Sequence, residues 1–284
     1  MLRSTNDLKN YVVGATDGEI GHVKDFFVDD ERWVVRYLVV VETDDWLSSR
    51  KVLISPIAVK PPNWAEKIMP VSITREQVKN SPDVDTDRPV SRQHEILYTG
   101  YYGYPYYWGG AGLWGGGLYP DMVLLGYGGY GAPSAIQMQD AEARAQAEAA
   151  RHESDDPHLR SCDAVKGYHI HASDGDIGHV QGLLVEDGTW AVRYLIVDTS
   201  NWWLGHQVLI APQWIKGVSW SQATVSVELT RQAVKNAPPY DATVLLDCKQ
   251  ELQIYAHHRR PGYWADEMKH GNDASRVHNQ EKTS

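Results

Sequence analysis

Cysteine is scarce in this chain, with 2 among 284 residues. Cys162 and Cys248 lack the spacing of a zinc knuckle or of a disulfide framework, which favours a reducing compartment. A basic excess is missing as well, because 37 acidic residues outnumber 27 lysines and arginines and give a formal charge of −10. Since contact with phosphates requires a basic surface, the composition argues against general nucleic-acid binding.

Long apolar runs are also absent from the sequence. No stretch reaches the roughly 18 residues needed to span a membrane, and the first residues lack the apolar segment of a signal peptide. We therefore expect no membrane insertion and a cytoplasmic location. With 284 residues, of which 42% are hydrophobic, the chain is long enough for two domains that each bury a core.

A heptapeptide occurs twice, as DGEIGHV at residues 17–23 and as DGDIGHV at residues 174–180. When Gly18 is aligned with Gly175, the similarity extends to LRS and VRYL and, after a deletion of one residue, to the pairs KVLISP/QVLIAP and ITREQVKNSP/LTRQAVKNAP. This self-similarity indicates an internal duplication.

Within each repeat the pattern predicts β-structure. Residues 20–28 and 33–41 are rich in Val, Ile and aromatic residues, DDER between them is typical of a hairpin turn, and residues 52–55 form a third short strand. Both faces of 33–41 are apolar, which favours a strand that is central or that bends across two layers. Thr74 begins a capping box for a short helix that Pro82 ends.

The predicted fold class is mainly β, with two tandem small β-barrels that carry short helices. A Gly- and Tyr-rich linker is expected between them, because so many glycines disfavour a regular helix or strand. An Ala-rich helix follows the linker, and the polar C-terminal residues are expected to be disordered. The predicted organisation is repeat 1 at 1–97, the Gly/Tyr/Trp-rich linker at 98–133, the connecting helix at 134–156, repeat 2 at 157–264 and the tail at 265–284.

The heptapeptide is typical of a tight turn rather than of a catalytic site. Asp-Gly is a strong turn signal because glycine adopts a positive φ without strain, and a second glycine suits a β-bulge or a close approach of two backbones. The residues expected to form this structural turn are Asp17, Gly18 and Gly21 in repeat 1 and Asp174, Gly175 and Gly178 in repeat 2.

Four histidines are the candidates for chemistry. His22 and His179 recur in the heptapeptides, but a catalytic histidine needs an orienting carboxylate and a nucleophile, and neither stands at a diagnostic spacing. His169 and His171 form His-x-His on a predicted strand, which places both rings on one face and makes them weak metal-site candidates. Because two ligands are too few for a tetrahedral site, we expect no metal and no cofactor.

Arg36 and Arg193 occupy equivalent positions in otherwise apolar strands. A buried guanidinium group requires an acidic partner or backbone carbonyls, because an unpaired charge is costly to bury. We expect an acidic partner such as Asp30 or Asp187, or capture of backbone carbonyls. A ligand-binding role for the arginines is the less favoured interpretation.

The linker is rich in tyrosine and tryptophan, which supply large and rigid contact areas. These residues either fill the space between the repeats or form an interaction or self-association surface, since exposed aromatic patches usually contact a partner. The candidates for partner binding are Tyr101, Tyr102, Tyr104, Tyr106, Tyr107, Trp108 and Trp114.

The order of motifs DGxIGxV, hairpin, W-x-VRYL and VLI-S/A-P resembles the PRC-barrel domain, in two copies that cover most of the chain. This domain is shared by the cytoplasmic part of the photosynthetic reaction-centre H subunit and by the C-terminal domain of the ribosome maturation factor. The resemblance implies a small all-β barrel that docks onto protein partners. It implies no catalytic centre that can be assigned to residues of this chain.

The sequence therefore predicts a non-catalytic protein-interaction or scaffolding module with an unidentified protein partner, and it leaves homo-oligomer formation open. One alternative is a soluble H-subunit-like factor in photosynthetic electron transfer or assembly, in which Asp17, Glu19, Asp174 and Asp176 would relay protons. The other alternative is a metal-dependent enzyme that uses the repeated histidines.

Overall fold

The structure is a computed structural model of the chain. It describes residues 1–42, 50–82, 90, 92–108, 112–125, 159–199 and 206–265. The predicted Ala-rich helix at 134–156 lies outside the described residues, as does nearly all of the predicted tail at 265–284.

The described chain is mainly β, as the sequence predicts. The strands are β1 (Leu2–Ser4), β2 (Val12–Ala15), β3 (Gly18–Asp29), β4 (Val34–Glu42), β5 (Lys51–Ile54), β6 (Ile68–Pro70), β7 (Leu159–Ser161), β8 (His169–Ala172), β9 (Gly175–Glu186), β10 (Val192–Asp198), β11 (Gln207–Ile210), β12 (Ile215–Ser219) and β13 (Thr224–Val227).

The helices are short. They are α1 (Thr5–Leu8), α2 (Arg75–Lys79), α3 (Arg92–Tyr102), α4 (Met122–Leu125), α5 (Cys162–Val165), α6 (Arg231–Lys235) and α7 (Cys248–His258). The capping box predicted at Thr74 is confirmed, because its side chain accepts from the Gln77 backbone while the Gln77 side chain accepts from the Thr74 backbone. None of the helices in the described ranges combines the length and the apolar character needed to cross a membrane.

The strands form two mixed sheets. The order in the six-stranded sheet is β5-β4-β3-β2-β6, with β7 paired to β3. The order in the seven-stranded sheet is β11-β10-β9-β8-β13-β12, with β1 paired to β9. Each sheet contains one parallel pair, β2 with β6 in the first and β8 with β13 in the second.

The three strands predicted for repeat 1 are confirmed as β3, β4 and β5. Strand β4 pairs with β3 on one side and β5 on the other, and its residues from Val34 to Val40 are buried. A strand covered on both faces and paired along both edges can be apolar throughout, which explains the pattern of 33–41.

Helix α3 crosses the predicted boundary between repeat 1 and the linker. The sequence interpretation placed residues 98–102 in an irregular glycine-rich segment, and the structure places them in the last turns of this helix. The reason is tertiary packing, because Tyr98 enters a core cluster with Phe27, Tyr37 and Leu53. Such burial overrides the weak helix propensity of glycine and tyrosine.

The chain divides into two compact units that do not follow the repeat boundaries. The first unit comprises Met1–Lys166 together with Gly182–Arg193, and the second comprises Gly167–Gln181 and Tyr194–Ser284. The tip of the β9–β10 hairpin of repeat 2 therefore belongs to the unit that contains repeat 1.

Candidate functional site

The Asp-Gly turn of each heptapeptide anchors a small helix. An Asp17 carboxylate oxygen accepts a hydrogen bond of 2.8 Å from the backbone N–H of Arg75, and Asp174 accepts one of 2.7 Å from that of Arg231. Gly18 has a φ of +144°, a backbone conformation that residues with a side chain rarely adopt. These contacts give the Asp-Gly turn a structural task in each repeat.

The second glycine of each heptapeptide lies where two backbones come into close contact. A Cβ atom at Gly21 would lie 1.9 Å from the carbonyl oxygen of Val41, and one at Gly178 would lie 1.9 Å from that of Asp198. No side chain fits at that distance, so the fold requires glycine here.

Removal of the anchoring carboxylate is expected to weaken the fold. We predict that Asp17→Ala lowers the free energy of unfolding by about 1 kcal/mol, because the N–H of Arg75 loses its acceptor. Urea denaturation measures the change, and the exposed neighbour Glu19 provides the control variant Glu19→Ala. Equal stability of the two variants would contradict the anchoring role.

The heptapeptide histidines lie partly buried on strands. His22 is the cross-strand partner of Val12 and Val41. His179 contacts Gln181, whose amide nitrogen is 3.0 Å from the imidazole Nε2 and donates a hydrogen bond of 3.2 Å to Asp198. These surroundings give His179 a local polar partner, the ordinary situation of a strand histidine.

His169 and His171 are exposed on β8. His171 Nδ1 lies 2.7 Å from a carboxylate oxygen of Asp176. More than half of either side chain is exposed, so water competes with this contact. Across the described ranges, no group of three or more His, Cys, Asp or Glu side chains is arranged to hold a metal ion.

An open groove of about 660 Å³ lies beside His171 on the second unit. Its lining residues are His171, Ala172, Ser173, Lys216, Gly217, Ser226, Val227 and Glu228. The charges of the groove are partly matched within the protein, because Glu228 forms an ion pair of 2.8 Å with Arg260. The groove therefore carries side chains of both charge signs, Lys216 and Glu228, beside apolar surface.

Arg36 is buried, as expected, but the prediction of Asp30 as its partner is wrong. Its Nε and Nη2 donate to one oxygen of Asp29 at 3.2 and 2.9 Å, and its Nη1 donates to the Leu113 carbonyl at 2.6 Å. Burial raises the pKa of Asp29, but the charge and hydrogen bonds of Arg36 outweigh it and the pKa is lowered. Asp30 instead faces Arg160 at 3.4 Å.

The same correction applies to repeat 2. Arg193 Nε donates to Glu186 at 2.9 Å, whereas the predicted partner Asp187 contacts the N-terminal amine and Arg3. Burial acts to raise the pKa of Glu186, and the charge of Arg193 lowers it overall. In both repeats the acidic partner is the last residue of the preceding strand, and its side chain is directed toward the arginine of the next strand.

The aromatic segment of the linker packs tightly against Arg36 of repeat 1. The guanidinium carbon of Arg36 lies 3.8 Å from the ring centroid of Tyr107 and 4.8 Å from that of Trp114, a cation–π arrangement. Trp114 also donates from its indole N–H to the Thr189 carbonyl at 2.7 Å. Within the first unit, the segment thus fills space between β4 and the Gly182–Arg193 hairpin.

A buried glutamate connects the same segment to the core. Glu95 is 1% exposed and accepts hydrogen bonds from Tyr37 at 3.3 Å, from Tyr107, and from Arg92 at 2.8 Å. Burial, and next the charge of Glu95, raise the pKa of the Tyr37 and Tyr107 hydroxyls. Both tyrosines therefore stay protonated and donate to the carboxylate.

Repeat 2 contains the equivalent network. Tyr194 donates to Glu251 at 2.9 Å and Tyr263 donates to it at 3.2 Å. The arginine is not repeated, since Cys248 stands at the position equivalent to Arg92. Glu95 and Glu251 were missed as structural residues, although their alignment between the repeats, together with that of the tyrosines, was a usable signal.

The predicted partner-binding aromatics differ widely in exposure. Tyr107, Trp108 and Trp114 are buried, whereas Tyr101 is 41% exposed. Tyr102, Tyr104 and Tyr106 are half-buried. Partner binding by this set remains a prediction, and Tyr101 presents the largest exposed fraction for it.

No protein-family model matches the chain, and no curated protein matches its sequence.

Proposed function

We propose that the protein is a non-catalytic interaction module built from two PRC-type barrel repeats. The proposal is supported by the tasks of the recurring polar residues. Asp17 and Asp174 anchor helices, Arg36 and Arg193 are paired with the carboxylates that end the preceding strands, and Glu95 is saturated by hydroxyl and guanidinium donors. These recurring polar residues are engaged in holding the fold together, which leaves the outer surface for recognition.

The exposed face of α3 is the proposed contact surface for a protein partner. Leu97 is 58% exposed and Tyr101 is 41% exposed, and their four-residue spacing places them on the same side of the helix. The Tyr101 hydroxyl donates to the Gln77 carbonyl at 2.9 Å, which holds the ring in place. A rigid aromatic ring beside a leucine is the composition that protein interfaces favour.

Point variants test this proposal better than deletion of the linker does, because the linker contributes Tyr98, Tyr107 and Trp114 to the core. We expect the double variant Leu97→Ser/Tyr101→Ser to lose at least about tenfold in affinity for proteins that the intact chain retains from native lysate. The control is Leu245→Ser, which removes a leucine that is 61% exposed elsewhere. If the intact chain, the double variant and the control variant retain the same partners equally well, the assignment of this surface is contradicted.

A second candidate function has one observation in its favour. Beside the groove, Asp176 holds the His171 ring in one orientation, as the carboxylate beside a catalytic histidine does, and this is the part of the alternative enzyme hypothesis that the geometry favours. Loss of an activity or of a bound metal in His171→Ala, with partner retention unchanged, would favour this candidate over the interaction module.

A further inference from the structure

The first compact unit contains a reciprocal exchange of strands between the two repeats. Strand β1 of repeat 1 pairs with β9, so that Leu2 faces Glu186 and Ser4 faces Leu184. Strand β7 of repeat 2 pairs with β3, so that Leu159 faces Asp29 and Ser161 faces Phe27. Leu2 and Leu159 are equivalent in the alignment of the repeats, as are Glu186 and Asp29, and the two pairings are therefore the same contact made twice.

The tips of the β3–β4 and β9–β10 hairpins contact each other with the same symmetry. Val34 forms an antiparallel bridge with Ala191, its own equivalent in the other repeat. The Val35 N–H donates to the Trp190 carbonyl at 2.8 Å, and the Val192 N–H donates to the Trp33 carbonyl at 2.7 Å. A contact in which equivalent residues meet each other on both sides is the signature of a twofold, isologous interface.

Backbone strain occurs at the same place in both tips. Trp33 has a φ of +55° and Trp190 a φ of +60°, in the left-handed region that bulky residues rarely enter. In each case the carbonyl of the strained tryptophan accepts the hydrogen bond from the opposite repeat. The strain is thus located at the contact between the repeats, where the reciprocal hydrogen bonds help to offset it.

Equivalent ion pairs also occur on both sides of the contact between the repeats. Arg160 Nε lies 3.4 Å from an Asp30 carboxylate oxygen, and its equivalent Arg3 lies 3.7 Å from that of Asp187. All four residues belong to the first unit. These are the two aspartates that were predicted to pair with the core arginines, and their charges serve the contact between repeats instead.

From these observations we infer that the exchanged strands and hairpin tips form a self-complementary association surface whose fitting partner is another repeat of the same kind. The two halves of the chain assemble through it as the subunits of a twofold dimer do. The covalent connection between them raises their effective concentration and is not required for the pairing.

Cleavage of the full-length chain tests this inference. A protease site inserted between residues 126 and 158 allows the folded protein to be cut between the repeats, and size-exclusion chromatography at micromolar concentration then follows the two halves. We expect the halves to elute together at the volume of the uncut chain. Separation of the halves at this concentration, whether folded or not, would overturn the inference.

Charge reversal shows whether the repeated ion pairs belong to the association. In the cut protein, Arg160→Asp is expected to weaken the pairing of the halves by at least about tenfold, because it places two carboxylates together. The double variant Asp30→Arg/Arg160→Asp should recover most of the loss, and Lys24→Asp, at an exposed position of β3, should leave the pairing unchanged. Failure of the double variant to recover any affinity, with all variants folded by circular dichroism, would count against the proposed surface.

Discussion

Replacement of Asp29 by alanine is expected to lower the free energy of unfolding by about 3–5 kcal/mol. The side chain of Arg36 is 0% exposed and that of Asp29 is 4% exposed. The variant leaves the guanidinium group buried beside aromatic rings without its carboxylate. Asp29 also accepts backbone hydrogen bonds from Glu31 and Arg32, which shape the hairpin turn. Chemical denaturation monitored by tryptophan fluorescence measures the loss.

Repeat 2 supplies the matched control for this prediction. Glu186 makes the equivalent pair with Arg193, but its side chain is 28% exposed, so water compensates for part of the loss. We expect Glu186→Ala to be clearly less destabilising than Asp29→Ala. Equal losses would show that burial does not determine the strength of these pairs.

The pH dependence of stability provides an independent check on the ion pair of Asp29. Because the pKa of Asp29 is lowered in the folded protein, its ionisation stabilises the fold fully above the unfolded-state pKa of about 4. That contribution is lost as the pH falls through the lower, folded-state pKa. The difference in stability between wild type and Asp29→Ala should therefore narrow in acid, and a constant difference at all pH values would contradict the ion-pair explanation.

Substitution of Gly178 by alanine is expected to destabilise the protein by about 3 kcal/mol or more. The new Cβ would overlap the carbonyl oxygen of Asp198, and the backbones of β9 and β10 would have to move apart. Gly217→Ala is the control, because a Cβ at that position has no atom within 4 Å among the described residues beyond its chain neighbours. A thermal unfolding midpoint for Gly178→Ala equal to that of Gly217→Ala would contradict the close approach.

The parts of the fold that the sequence could predict are those determined by neighbouring residues. The hairpin between β3 and β4 and the capping box at Thr74 each depend on local backbone preferences, and each is confirmed. The apolar character of both faces also pointed to β4 as a central strand. Duplication strengthened these predictions, since the same pattern occurred twice.

The features that the sequence could not predict depend on distant segments. Asp29 and Asp30 are adjacent in the sequence, but they have different partners. The pairing of β3 with β7 brings Arg160 within reach of Asp30. Helix α3 extends to Tyr102 because Tyr98 finds a core to enter, which local propensity does not reveal. The exchange of β1 and β7 pairs residues more than a hundred positions apart, and no pattern within one repeat indicates it.

The histidines of the two heptapeptides allow the most direct test of the account. In the double variant His22→Ala/His179→Ala, partner retention and the unfolding transition are measured on the same preparation beside the intact chain. If the heptapeptide recurs because each repeat needs its turn and its glycine, retention stays unchanged and any change in stability is small. Loss of retained partners or of a measurable activity, in a protein that unfolds as the wild type does, would contradict the structural role of the repeat.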